Sequence, residues 1–125
     1  MLTFMQMTIQ QPIESSQQME NLINKIASGK TILVHFFTTW CGTCSLIKPM
    51  LNELAKKYDD KLDIEEVNLD NNPNLTPHFQ IKIMPTIILF KEGKEIWRHF
   101  GVIGAEEIHE TLENHHLMPS PQQPF

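Results

Sequence analysis

Cys41 and Cys44, separated by Gly42 and Thr43 and preceded by Trp40, are the only two cysteines of the chain. An apolar run from Thr31 to Phe37 leads into them, and an apolar-periodic segment from Ser45 to Tyr58 follows. Read as strand, short turn and helix, this order sets Cys41 at the first turn of a helix. Backbone N–H groups are unpaired there and the helix dipole is positive, so an anion such as a thiolate is favoured. Free cysteine titrates near ~8.5, and both a helix N-terminus and a Cys-X-X-Cys setting lower that value. The layout suits a nucleophilic sulfur that attacks a disulfide, with a second sulfur three residues on to release it.

Other uses of the pair are weaker. As a structural staple it closes a loop of only four residues, which loop-closure entropy rewards with roughly 2 kcal/mol at most. As half of a zinc site it lacks a second Cys pair, and His109 and His115 lie more than sixty residues on, unlike the spacing of a finger. A haem anchor needs His after the second Cys, where this chain has Ser45. A silent pair on a fold reused for binding stays open. No metal site is expected, His109, His115 and His116 included.

The elements that must position the pair follow from composition and periodicity. At 125 residues, 41% hydrophobic and 20% charged, the chain reads as one globular domain. A net charge of −5 leaves no broad basic field for nucleic acid or anionic lipid. The longest apolar runs, Ile32 to Phe37 and Ile87 to Phe90, fall far below the ~18 residues of a membrane helix. The first eighteen residues hold no Lys or Arg, so the charged start of a secretory signal is missing and a cytoplasmic location is expected. Residues 1–14 form an N-terminal extension holding a first strand that ends near Pro12 or Ile13. The domain proper spans residues 15–116, and a disordered tail with Pro119, Pro121 and Pro124 occupies 117–125.

Within the domain, Ser15 or Ser16 caps a helix with Met19, Leu22, Ile23, Ile26 and Ala27 inward, closed by Ser28-Gly29. Thr31 to Phe37 is apolar on both faces, as a covered central strand should be. The helix after the cysteines carries Leu46, Met50, Leu54 and Tyr58 in one row and Ile47, Leu51 and Ala55 beside it, with Pro49 expected to kink it. Leu62 to Leu69 reads as a strand, Asn71-Asn72-Pro73 starts a short helix, and Glu92-Gly93 joins two strands as a hairpin. A last helix from Ala105 to His115 points Ile108 and Leu112 inward. Alternating strands and helices followed by a hairpin give an α/β architecture with a mixed sheet.

From about Leu22 to His115 the chain resembles the thioredoxin family. Trp40-Cys41-Gly42-Thr43-Cys44 is similar to that family's Trp-Cys-Gly-Pro-Cys, Pro49 stands where its active-site helix carries a proline, and Met84-Pro85-Thr86 resembles its cis-proline loop. Asp70-Asn71-Asn72-Pro73, Phe90-Lys91-Glu92-Gly93 and Phe100-Gly101 fall at family-like spacings. The resemblance implies a central mixed five-stranded sheet flanked by four helices, a monomer, and a protein-disulfide reductase with no cofactor beyond a redox-active Cys41–Cys44 disulfide. Cys41 would be the exposed attacking thiol and Cys44 the buried resolving one. A cis Met84–Pro85 bond would lie against both sulfurs, and Trp40, Gly42, Thr43, Met84, Pro85 and Gly101 would receive client proteins. An NADPH-dependent thioredoxin reductase would reset the pair. A disulfide donor or isomerase with a more oxidising pair, and a redox-inactive binding or assembly module, are the alternatives.

Three departures stand out. Thr43 replaces the family's proline and adds an N–H donor near Cys41, which favours a more oxidising pair. Phe37 stands where many members carry Trp, one large apolar side chain for another. Thioredoxins usually bury an Asp six positions before the first Cys, facing a Lys on the next strand; here His35 and Glu66 hold those places. Alternation with Ile64 implies that Glu66 is buried. Histidine titrates near ~6.5, so His35 either relays a proton to and from Cys44 or is a satisfied core histidine with no catalytic part.

Overall fold

Strand β1 (Ile32–Phe37) lies at the centre of the sheet, and Ile32, Leu33, Val34, His35 and Phe36 along it are all buried. The computed structural model describes residues 13–119. Helix α1 (Ile13–Ala27) precedes β1; α2 (Lys48–Lys57), β2 (Asp63–Asn68), α3 (Leu75–His78), β3 (Thr86–Lys91), β4 (Lys94–Phe100) and α4 (Ala105–Asn114) follow. The sheet order is β2-β1-β3-β4. Strand β1 pairs parallel with β2 and antiparallel with β3, and β3 pairs antiparallel with β4.

Because side chains alternate along a strand, β1 feeds two cores. Leu33 packs with Leu51 and Leu54 of α2, Ile87 and Leu89 of β3, and Ile108 and Leu112 of α4. Ile32, Val34 and Phe36 pack on the other face with Leu22 of α1, Leu75 of α3, and Ile88 and Phe90 of β3. His35 shares the first of these faces with Leu33. The mixed sheet and its four helices agree with the architecture expected from the sequence.

Several expectations are corrected. The sheet has four strands among the described residues rather than five; the additional strand, expected to end near Pro12 or Ile13, lies outside them except at Ile13, which opens α1, so Ser15 and Ser16 fall inside that helix rather than capping it. The cysteine-bearing segment is not one kinked helix. A 3-10 turn (Gly42–Leu46) comes first, and α2 then starts with Pro49 in its opening turn. Proline has no N–H to give there, and that position needs none. The break rotates Leu46 off the core row, since a 3-10 turn advances faster per residue than an α-helix; Leu46 is exposed, as is Ala55. Leu117, placed at the head of the tail, packs into the α2/α4 core. The hairpin is as read: Glu92 and Gly93 both have positive φ, 54° and 81°, which a two-residue loop of the I′ type requires.

Candidate active site

Four connections meet at one end of the sheet. Strand β1 runs out at Phe37 into the cysteine turn. Its neighbour Phe36 pairs with Thr86, so Pro85 lies at the same end, and Thr86 pairs with Phe100, which brings Gly101 there too. Gly101 N–H donates to the Pro85 carbonyl at 2.8 Å, with Gly101 at φ +88°. Leu69 N–H donates to the Phe37 carbonyl at 2.8 Å, so the end of β2 completes the group.

The turn is held from within and from outside. Cys41 N–H donates to Thr38 O and Cys44 N–H to Cys41 O, each at 3.3 Å, and Cys41 caps the 3-10 turn in extended conformation. From outside, the Asp70 carboxylate accepts from the Thr39 N–H at 2.8 Å and the Thr39 hydroxyl at 2.7 Å. These bonds, with a further one from the Trp40 indole, hold the Asp70 carboxyl below its ordinary range. Sequence spacing marked Asp70 without revealing this clamp, because its partner lies 31 residues away.

Cys41 and Cys44 form a disulfide with their Cα atoms 5.5 Å apart. The two sulfurs differ in access: Cys44 is 4% exposed, and Cys41 is only partly covered. The Thr43 hydroxyl lies 3.6 Å from the Cys41 sulfur. Met84–Pro85 is a cis peptide, as the resemblance implied, with Pro85 buried and Met84 partly so. Trp40 is 74% exposed, and Leu46, Ile83, Phe100 and Val102 also present apolar side chains to solvent. Trp40, Gly42, Thr43 and Gly101 thus lie on the surface around this end. Leu46, Ile83 and Phe100 were not singled out from sequence; only the fold reveals their exposure.

Beneath the turn, His35 is 2% exposed, and neither ring nitrogen has a hydrogen-bond partner among the described residues. Glu66 sits directly across the strand pair, its Oε2 3.6 Å from His35 Nδ1. The expected burial of Glu66 is not observed: its side chain is 32% exposed. Alternation fixes the face of a strand and not its depth, and β2 is an edge strand among the described residues, where a carboxylate keeps its hydration. Burial pushes the His35 imidazole below its ordinary range; Glu66 opposes that shift and the Lys48 ammonium adds to it. His35, Cys41, Cys44, Ser45, Lys48 and Glu66 border a shared cleft of about 200 Å3. The described residues hold no cluster of three or more potential metal ligands, and no described helix is long and apolar enough to cross a membrane.

Such an arrangement can exchange a dithiol for a disulfide: one sulfur is reachable, its partner is buried three residues on, and an apolar surface surrounds them. Comparison with known proteins agrees. The family described as Thioredoxin matches residues 12–114. Thioredoxin of Acidithiobacillus ferridurans is 45% identical over 89 residues, covering 71% of this chain and 82% of that protein. Thioredoxin of Staphylococcus haemolyticus is 40% identical over 95 residues, covering 76% and 90%. Thioredoxin of Staphylococcus aureus is 38% identical over 92 residues, covering 74% and 88%.

Proposed function

The chain belongs to the thioredoxin family and is a thiol–disulfide oxidoreductase, and from that premise we propose that it reduces the disulfides of client proteins in the cytoplasm. The unequal access of the two bonded sulfurs is the observation that carries this reading. Cys41, as the thiolate, attacks a client disulfide; one client sulfur leaves and the other stays bonded to Cys41. Cys44 then attacks Cys41, the client departs reduced, and the enzyme is left as the disulfide. The dithiol supplies both electrons, so no further cofactor is needed.

Trp40, Met84 and Gly101, with Gly42, Thr43 and Pro85, form the rim that receives an extended client segment beside the Met84 backbone, in the manner of strand addition. An NADPH-dependent thioredoxin reductase returns the pair to the dithiol, and the protein works as a monomer. The test is insulin reduction followed by turbidity, driven by dithiothreitol and then by NADPH with a thioredoxin reductase. Activity with both is expected; inactivity with both would reject the reading in favour of a binding module.

One observation favours a second direction. A hydroxyl 3.6 Å from the Cys41 sulfur is placed to donate to a thiolate, and a stabilised dithiol form makes a pair more oxidising. Titration against glutathione decides this: replacing Thr43→Pro should lower the potential, and an equal or higher potential in the variant removes the case for a disulfide donor.

A further inference from the structure

We propose that the cleft between Ile83 and Phe100 selects clients by taking an apolar side chain flanked by a carboxylate, with Arg98 as the positioning residue for one of its walls. The inference deepens the client-reducing reading above and rests on it. Gln80, Lys82, Ile83, Glu95, Arg98 and Phe100 line a cleft of about 490 Å3. It is continuous with the client rim at two points, because Ile83 precedes Met84 and Phe100 precedes Gly101. Ile83 and Phe100 are 53% and 49% exposed. Two large apolar side chains therefore stand in water at one opening, and an apolar client group seated between them would remove that surface from water.

The wall is tied from β4. Between α3 and Pro85 the backbone turns through Gln80, whose φ of +54° lies in the left-handed region that a residue with a Cβ disfavours. The Gln80 carbonyl accepts from Arg98 Nη1 at 3.2 Å. Arg98 is itself oriented by Glu95, to which it donates from Nε at 2.7 Å and from Nη2 at 2.8 Å, a two-pronged pair. Arg98 and Phe100 alternate onto one face of β4. The guanidinium thus reaches from the strand to the loop, beside Phe100, and fastens the segment that leads to Ile83 and Met84.

The charge of the opening is uneven. Glu95 is the one acid lining it among the described residues, and Arg98 engages both of its oxygens. Lys82, exposed on the same rim, leaves an excess of positive charge there. A carboxylate beside the client's apolar group is drawn to that ammonium, and a lysine in its place is repelled.

The experiment measures second-order rate constants for oxidation of the reduced full chain by disulfide-bonded peptides, quenched by alkylation and read by mass. One peptide carries leucine and glutamate on both flanks of its cysteine; in a second, serine replaces leucine, and in a third, lysine replaces glutamate. Hydroxyethyl disulfide is the reference that reaches Cys41 without the cleft. The wild-type chain should prefer the first peptide over the second by about 10-fold and over the third by roughly threefold. Lys82→Glu, an exposed substitution that folding tolerates, should reverse the preference between glutamate and lysine. Arg98→Ala should bring the leucine-to-serine preference towards unity, measured relative to hydroxyethyl disulfide, and Arg98→Lys, which can still donate to the Gln80 carbonyl, should restore part of it. A chain that reduces hydroxyethyl disulfide and none of the peptides loses the client reading and this inference together. Equal rates on all three peptides, or a charge preference that Lys82→Glu leaves in place, overturn this inference alone.

Discussion

Two histidines lie at opposite ends of α2, and the structure treats them differently. His109, on α4, meets the C-terminal end of α2: its Nδ1 shares a hydrogen bond of 3.2 Å with the buried Tyr58 hydroxyl, and the two rings stack with centroids 5.9 Å apart. His35 lies beneath the N-terminal end, more deeply buried, with no hydrogen bond to either nitrogen among the described residues. Burial lowers the proton affinity of both, and a lysine of α2 adds to it in each case: Lys48 at His35, Lys57 at His109. At the far end polarity is answered and serves stability. At the redox end the polar neighbour of the ring is the Glu66 carboxylate, 3.6 Å from Nδ1 and partly in solvent.

The largest effect should come from the redox end itself. Cys44→Ser is expected to abolish multiple turnover of insulin while holding clients on Cys41 as mixed disulfides, seen by non-reducing electrophoresis. Sustained turnover in that variant would erase the distinction between the two ends.

The histidines should then respond in opposite senses. His35→Leu removes a buried imidazole without a hydrogen bond among the described residues and is expected to raise stability to urea by about 1 kcal/mol. His109→Phe breaks an answered hydrogen bond and should cost about 1 kcal/mol with insulin reduction unchanged. Matching signs in urea titration would show that the two environments are equivalent after all.

Acidity sharpens the same contrast with a smaller effect. Both imidazoles have folded-state values below the ordinary 6.5, so the unfolded chain takes up protons first as pH falls. Their contribution is intact above about 6.5 and is lost progressively below it, down to each folded value. Asp70 works in a separate window: its folded value is depressed, so its contribution is present above 3.8 and lost as pH falls through the lower folded value. Thermal stability should therefore decline from pH 7 to 5 in the wild type and decline less steeply in His35→Leu, where His109 alone of the two remains.

The smallest effect concerns the outer clamp. Asp70→Asn weakens the tie to Thr39 and is expected to raise KM for insulin slightly with kcat kept. A larger loss in kcat than in KM would place Asp70 in the chemistry rather than in positioning.

Much of this was readable from the chain because the signals are local. The cysteine spacing, Met84-Pro85 and Glu92-Gly93 each specify a geometry within a few residues. Helical and strand periods gave α1, β1 and α4 with Leu22, Ile108 and Leu112 inward, though Ala27, read as inward at the end of α1, is exposed. What escaped depends on distance or depth. The bond between Tyr58 and His109 joins residues 51 apart, and the clamp of Asp70 on Thr39 has no local sign. Glu66 was assigned the right face and the wrong depth, because alternation does not register which strand lies at an edge. Pro49 was read as a kink inside one helix, whereas the chain uses it to begin a second.

Strand β1 has a bearing on durability. Flanked by β2 and β3 and covered on both faces, its amides are expected to open last, and the chain passes from that strand straight into the sulfurs. The reactive centre is thus fastened to the most deeply covered strand, so gripping a client should leave the framework undisturbed, and loss of the centre's geometry should coincide with global unfolding rather than precede it.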